Sequence, residues 1–242
     1  MCLACYGAPG ATESLHEAHA SHRWIPRRAF LLAAGSAVAA PALAQVQVDE
    51  ASRLRNLVPA GELEAAAGQQ YSQLIAQARQ QGALASENHP QLQRLRAIAR
   101  HLVPHAAPWN DRARNWRWEI NLIGSKQINA FCMPGGKIAF FTGILNQLDL
   151  SDDEAAMVMG HEMAHALREH ARARIAKTQG TSIGLSVLSQ VLGLGQLGSI
   201  AADVGTQLLS LRFSREDEID ADLVGLELAA RGAYRPQSAI SL

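Results

Sequence analysis

The run His161-Glu162-Met163-Ala164-His165 falls where the chain has every reason to be helical, and no other feature constrains the fold as strongly. Ser151-Asp152-Asp153-Glu154 reads as a capping box: the Ser151 hydroxyl can accept from the Glu154 N–H while the Glu154 carboxylate reaches back to the Ser151 amide. Three carboxylates in that first turn complement the helix dipole, and from Ala155 to Ala171 only Gly160 interrupts the helix formers. The motif therefore lies in mid-helix. Four residues apart, His161 and His165 project from one face and can hold the same metal ion, whereas Glu162 is out of line with them and can reach a water on that metal as general base. Two imidazoles and one carboxylate suit zinc, leaving a fourth position for water whose pKa falls to about 7. The same five residues also fit two solvated histidines and an ion pair on an exposed helix, so a third ligand has to be found.

Downstream, Glu218 and Asp222 are one turn apart in a segment that reads as a helix from about Arg215 to Ala230, stopped by Gly232. Glu218 can complete the metal site, and Asp222 can accept the other ring N–H of a ligand histidine and fix its tautomer. Spacing alone leaves a second reading open, in which Arg215, Glu216, Asp217, Glu218, Asp220 and Asp222 form a solvated charged face.

Three ordered blocks carry a resemblance: Asn129-Ala130-Phe131-Cys132-Met133-Pro134-Gly135-Gly136 with the strand after it, His161 to His170, and Ser214 to Asp222. Together they resemble the Ste-type and HtpX-like zinc metallopeptidases, family forty-eight of the metallopeptidases within the gluzincin group. The likeness runs from Trp116 to Gly232. It implies an α+β, mainly helical, zincin-like domain with a small sheet beside the motif helix, one zinc ion held by His161, His165 and Glu218, Glu162 as catalytic base, and Asp222 behind the ligands. It further implies a zinc endopeptidase of unfolded or misfolded envelope proteins, like the periplasmic quality-control members of the family. Asp220 stands where relatives often have Glu. Relatives also continue past the equivalent of Ser241-Leu242, some into helical repeats, so the chain is expected to be truncated there. A zinc-bound chaperone that rarely cuts is the competing reading, and the presence of Glu162 argues against it.

The remainder of the chain supplies the frame. Residues 46–103 are rich in Ala, Gln, Leu and Arg with breaks at Pro59-Ala60-Gly61, Gly82 and Asn88-His89-Pro90, which predicts two or three helices. Trp116, Trp118, Ile120 and Leu122 alternate with polar residues as in a half-buried strand, the tryptophans reading as core; Pro134-Gly135-Gly136 is a turn and Lys137 to Phe141 a second, neighbouring strand. Lys137, Ile138, Ala139 and Phe140 are the expected sheet edge on which an extended peptide would add, with an interior strand as the alternative. Arg215 and His170 are candidate stabilisers of an oxyanion, and His170 also reads as a charge partner for a helix C-terminus. Between Thr178 and Ala202 no charge occurs, but Gly, Ser, Thr and Gln are too frequent for a membrane span, which leaves small-residue helices near the site with contact to a membrane surface.

Residues 1–44 read as an export signal: Arg27-Arg28, an apolar run from Ala29 to Ala40, Pro41, and Ala42-Leu43-Ala44 at the cleavage positions. The twin-arginine resemblance is partial, since Pro26 replaces the usual Ser or Thr, and ordinary export fits equally. Either route predicts a periplasmic metallopeptidase domain over residues 45–242. Cys2 and Cys5 leave with the signal, so Cys132 has no partner and no disulfide is expected. With 22 basic and 22 acidic residues there is no surplus positive charge to bind nucleic acid.

Overall fold

The computed structural model describes residues 45–179 and 213–240. Six α-helices and one three-stranded sheet are present among them: α1 (Ala60–Gln80), α2 (Pro90–Leu102), β1 (Glu119–Ile123), β2 (Ala130–Met133), β3 (Lys137–Phe141), α3 (Thr142–Gln147), α4 (Asp152–Leu167), α5 (His170–Gln179) and α6 (Arg215–Arg231). The fold is the mainly helical α+β domain expected. The N-terminal leader and most of the uncharged run after Thr178 lie outside the described residues. No helix among the described residues is long and apolar enough to cross a membrane.

Strand order is β1-β3-β2, with β1 parallel to β3 and β2 antiparallel to it. Alternation along β3 sends side chains to both faces. Ala139 and Phe141 join Ala67, Tyr71, Ile75 and Ala78 of α1 on one side. Ile138 and Phe140 join α2, α4 and α6 on the other, through Leu92, Leu95, Met159, Met163, Val224 and Leu228. The small sheet is thus covered by helices on both faces. The Tyr71 hydroxyl, buried, donates to the Ile138 carbonyl and accepts from the Asn121 side chain, which ties α1 to two strands.

Placing β3 in the centre corrects the sequence reading. Lys137, Ile138, Ala139 and Phe140 pair through their backbone on both sides, and Ile138, Ala139 and Phe140 are fully buried. They therefore cannot receive a peptide strand. The sheet's two edges are β1, which the chain at Leu84 bridges at Ile123, and β2, formed by the Ala130–Met133 block, which has no second strand partner among the described residues and is joined to β3 by a tight turn. Gly136 donates its N–H to the Met133 carbonyl there, with Pro134 and Gly135 at the corners. Gly135 has φ 86°, the left-handed value a type II turn needs after a proline. Trp116 and Trp118 precede β1 instead of lying in it. Their rings meet at 5.3 Å, and the indole N–H groups donate to Glu64 and the Ala113 carbonyl, so they close the sheet end as core.

Two helices make the decisive contact. α4 crosses α6 at Gly160 and Gly225, where a Cβ on Gly160 would stand 2.6 Å from the Gly225 carbonyl oxygen and a Cβ on Gly225 would stand 2.6 Å from the His161 nitrogen. Backbone meets backbone at that crossing. In a free helix Gly→Ala gains about 1 kcal/mol, but here the added methyl has no rotamer by which to escape, and overpacking costs about 1–3 kcal/mol. Gly225→Ala should therefore lower the urea-unfolding stability by about 1–3 kcal/mol; a midpoint equal to or above the parent's would contradict so close a crossing.

Candidate metal centre

Both helices that meet at this crossing begin with a reciprocal cap. In α4 the Glu154 N–H donates to Ser151 Oγ at 3.3 Å and the Ser151 N–H donates to Glu154 Oε2 at 2.8 Å. In α6 the Asp217 N–H donates to Ser214 Oγ at 3.2 Å and the Ser214 N–H to Asp217 Oδ2 at 2.9 Å. The second cap was legible as Ser-x-x-Asp, the same pattern as the first with a shorter acid. Each cap sets where its helix starts, and hence which residues face the crossing.

Beside this crossing, His161 and His165 of α4 meet Glu218 of α6. The Nε2 atoms of the two imidazoles are 3.0 Å apart, and Glu218 lies 3.5 Å from His161 Nε2 and 3.8 Å from His165 Nε2. These three residues form the one cluster among the described residues that offers three donor atoms to a single ion, all within 4.8 Å of one another. Asp222, one turn beyond Glu218, lies 2.8 Å from His161 Nδ1. A carboxylate accepts only, so Nδ1 carries the proton and Nε2 turns a lone pair inward. Two imidazole nitrogens and a carboxylate converge this closely, and imidazole with carboxylate oxygen is a donor set that zinc accepts. The residues fit the ion.

His165 is buried, and burial together with His161 and His170 pushes its pKa down to about 2, which keeps the ring neutral as a ligand must be. Glu162 lines the same cleft as the histidines and Glu218. Desolvation, with the Glu218 charge beside it, raises Glu162 to about 8. The opposite wall is β2: Ala130, Phe131, Cys132, Met133 and Pro134 line the cleft, and Phe213, just ahead of α6, closes one end. Phe213 stacks on the His165 ring with centroids 4.1 Å apart and planes 18° from parallel. Sequence reasoning passed over Phe213, although a lone aromatic directly before the Ser214 cap was the available signal.

Two expected oxyanion residues are placed elsewhere. Arg215 is exposed at the first position of α6 and is not among the residues lining the cleft. His170 opens α5 instead of ending a helix: α4 stops at Leu167, Glu169 adopts a left-handed φ of 59°, and a new helix begins. Its ring is buried behind His165, with Nδ1 2.9 Å from His165 Nδ1 and Nε2 3.0 Å from Asp220 Oδ2. Both of its nitrogens are engaged by protein, so it has no donor left for a substrate oxygen.

The class is that of a metallopeptidase domain whose candidate metal ligands come from two crossing helices. Residues 88–242 match the model of peptidase family M48, and the chain belongs to that family. It is similar to mitochondrial metalloendopeptidase OMA1 of Arabidopsis thaliana, 38% identical over 122 residues, covering 50% of this chain and 24% of that protein. OMA1 of Schizosaccharomyces pombe is 36% identical over 127 residues, covering 52% of this chain and 36% of that one. The beta-barrel assembly-enhancing protease of Escherichia coli is 26% identical over 162 residues, covering 62% of this chain and 32% of that one. The chain thus spans about a quarter to a third of the length of the curated relatives it matches.

These relatives overturn the periplasmic assignment: the OMA1 proteins from the plant and from two yeasts, 34–38% identical, carry a mitochondrial location in their names. The physical reason is that arginines near an N-terminus occur in organelle-targeting and export signals alike, so Arg27 and Arg28 do not fix the compartment.

Cys132 is half-buried on β2, and desolvation, with the Glu162 charge near it, pushes its thiol well above the usual range. The thiolate is the reactive species, so alkylation by iodoacetamide at pH 8 should run at least ~10-fold slower than for free cysteine. A rate matching free cysteine, read by mass spectrometry, would contradict that environment.

Proposed function

We propose that this chain is a zinc-dependent endopeptidase that cuts extended segments of unfolded or misfolded proteins, with His161, His165 and Glu218 as zinc ligands, Glu162 as general base and acid, and Asp222 orienting His161. The observation that carries the reading is the approach of the two imidazole Nε2 atoms and the Glu218 carboxylate, with Glu162 beside them in a cleft walled by an edge strand.

Zinc at this position supplies Lewis acidity toward a carbonyl and lowers the pKa of water. The chain's own residues do the rest. Glu162 takes a proton from the attacking water and later delivers it to the leaving amine, and the desolvation that raises its pKa suits it to hold that proton in between. β2 offers unpaired backbone groups to an extended peptide, which sets the scissile carbonyl without demanding a particular side chain. That strand takes over the role first given to β3. A binding module would have no use for a carboxylate at position 162, and nothing favours that reading over the hydrolase.

Cutting of an unfolded polypeptide should require zinc, stop with a chelator, and fall by about 10²-fold or more in Glu162→Gln. Equal rates in all three samples would sink the metal mechanism, and suppression of aggregation with no cutting in any sample would favour the binding module. The two carboxylates of α6 should separate in zinc content after dialysis: Glu218→Ala loses most of its metal, while Asp222→Ala keeps it with affinity weakened by about 10–100-fold. A Glu218→Ala chain as zinc-loaded as its parent would remove that ligand.

A further inference from the structure

The two histidines of the centre are supported in different ways. His161 is backed directly by Asp222, which is largely exposed. His165 is buried, and its Nδ1 faces another imidazole, the Nδ1 of His170 at 2.9 Å. On the far side of His170, Nε2 lies 3.0 Å from Asp220 Oδ2, and the same oxygen accepts from Arg168 Nε at 2.6 Å. The order is Arg168, Asp220, His170, His165, all inside the angle between α4, α5 and α6.

Protons in such a row can be arranged in one way only if His165 is to bind a metal. Asp220, paired with Arg168, accepts and does not donate, so His170 Nε2 carries a hydrogen. A neutral His170 then has a lone pair at Nδ1, which makes His165 Nδ1 the donor and leaves His165 Nε2 free to face His161 and Glu218. We propose that His170 is a positioning residue, which holds His165 in its ligand tautomer by accepting the Nδ1 proton and passing the constraint to Asp220 and Arg168. Phe213 completes the support by stacking on the His165 ring, which fixes its plane while His170 fixes its rotation within it.

The break in the helix makes this possible. On a continuous α-helix a residue five positions on points about 140° away from the first, so His170 would face away from His165. The left-handed turn at Glu169 starts α5 in a new direction and returns the ring to the back of the site.

The inference rests on His165 being a zinc ligand, and the test separates the two claims. Zinc affinity of the full chain is measured by competition with a chromophoric chelator for the parent, His170→Phe, which keeps the ring volume without an acceptor, and His170→Asn, whose side-chain oxygen can accept. The phenylalanine variant should bind zinc about 10–100-fold more weakly and the asparagine variant should recover most of that loss. Affinity in His170→Phe equal to the parent's, or no recovery in His170→Asn, overturns the proposal. Should a variant fail to fold, nitrogen-15 shifts of the zinc-loaded parent decide: His170 with Nε2 protonated and Nδ1 bare supports the relay, and the opposite tautomer overturns it. A parent that binds no zinc overturns both claims, whereas zinc binding that ignores position 170 overturns the relay alone.

Discussion

The close passage of α4 over α6 at Gly160 and Gly225 is the constraint on which the rest of the structure depends. Helix axes usually pack 8–10 Å apart with side chains between them, whereas here a Cβ on either glycine would run into the backbone of the other helix. Removing both Cβ atoms lets the backbones touch one residue before His161. His161 and His165 then find Glu218 on the facing helix within 3.5–3.8 Å, and His161 finds Asp222 at 2.8 Å.

The parts of the site that follow local rules were legible in the sequence. The capping box at Ser151 placed the start of α4, and the four-residue spacing of His161 and His165 placed both rings on one face. Spacing made Glu218 and Asp222 legible as a pair, and their places at the metal site came from the resemblance of the three blocks, because spacing within α6 says nothing of what α6 faces. Gly160 looked like an ordinary interruption, since a sequence gives no sign that a missing side chain is occupied by another backbone. Strand order failed for a related reason. Lys137 to Phe141 had the pattern of a strand, but which strand lies at the edge depends on partners, and Ala130 to Met133 was too short to announce itself by alternation.

His170 marks the limit of periodic reasoning. Its place beside His165 depends on one residue, Glu169, adopting a backbone conformation uncommon for its type, and helix propensity runs smoothly through that point. Glu169 accepts from Arg172 in α5, which helps hold the corner, and Arg168 is drawn toward Asp220 on the other side. Once the corner exists, one short stretch of chain supplies both His165 and the imidazole behind it.

The shortness of β2 has a consequence of its own. A strand with unpaired amides and carbonyls along one side is an invitation to stick to any other exposed strand, including that of a second copy, and long flat edges of this kind are where proteins aggregate. Four residues, closed at one end by Pro134, give little length for such fortuitous pairing. The cleft can thus keep an adhesive wall without making the whole surface adhesive.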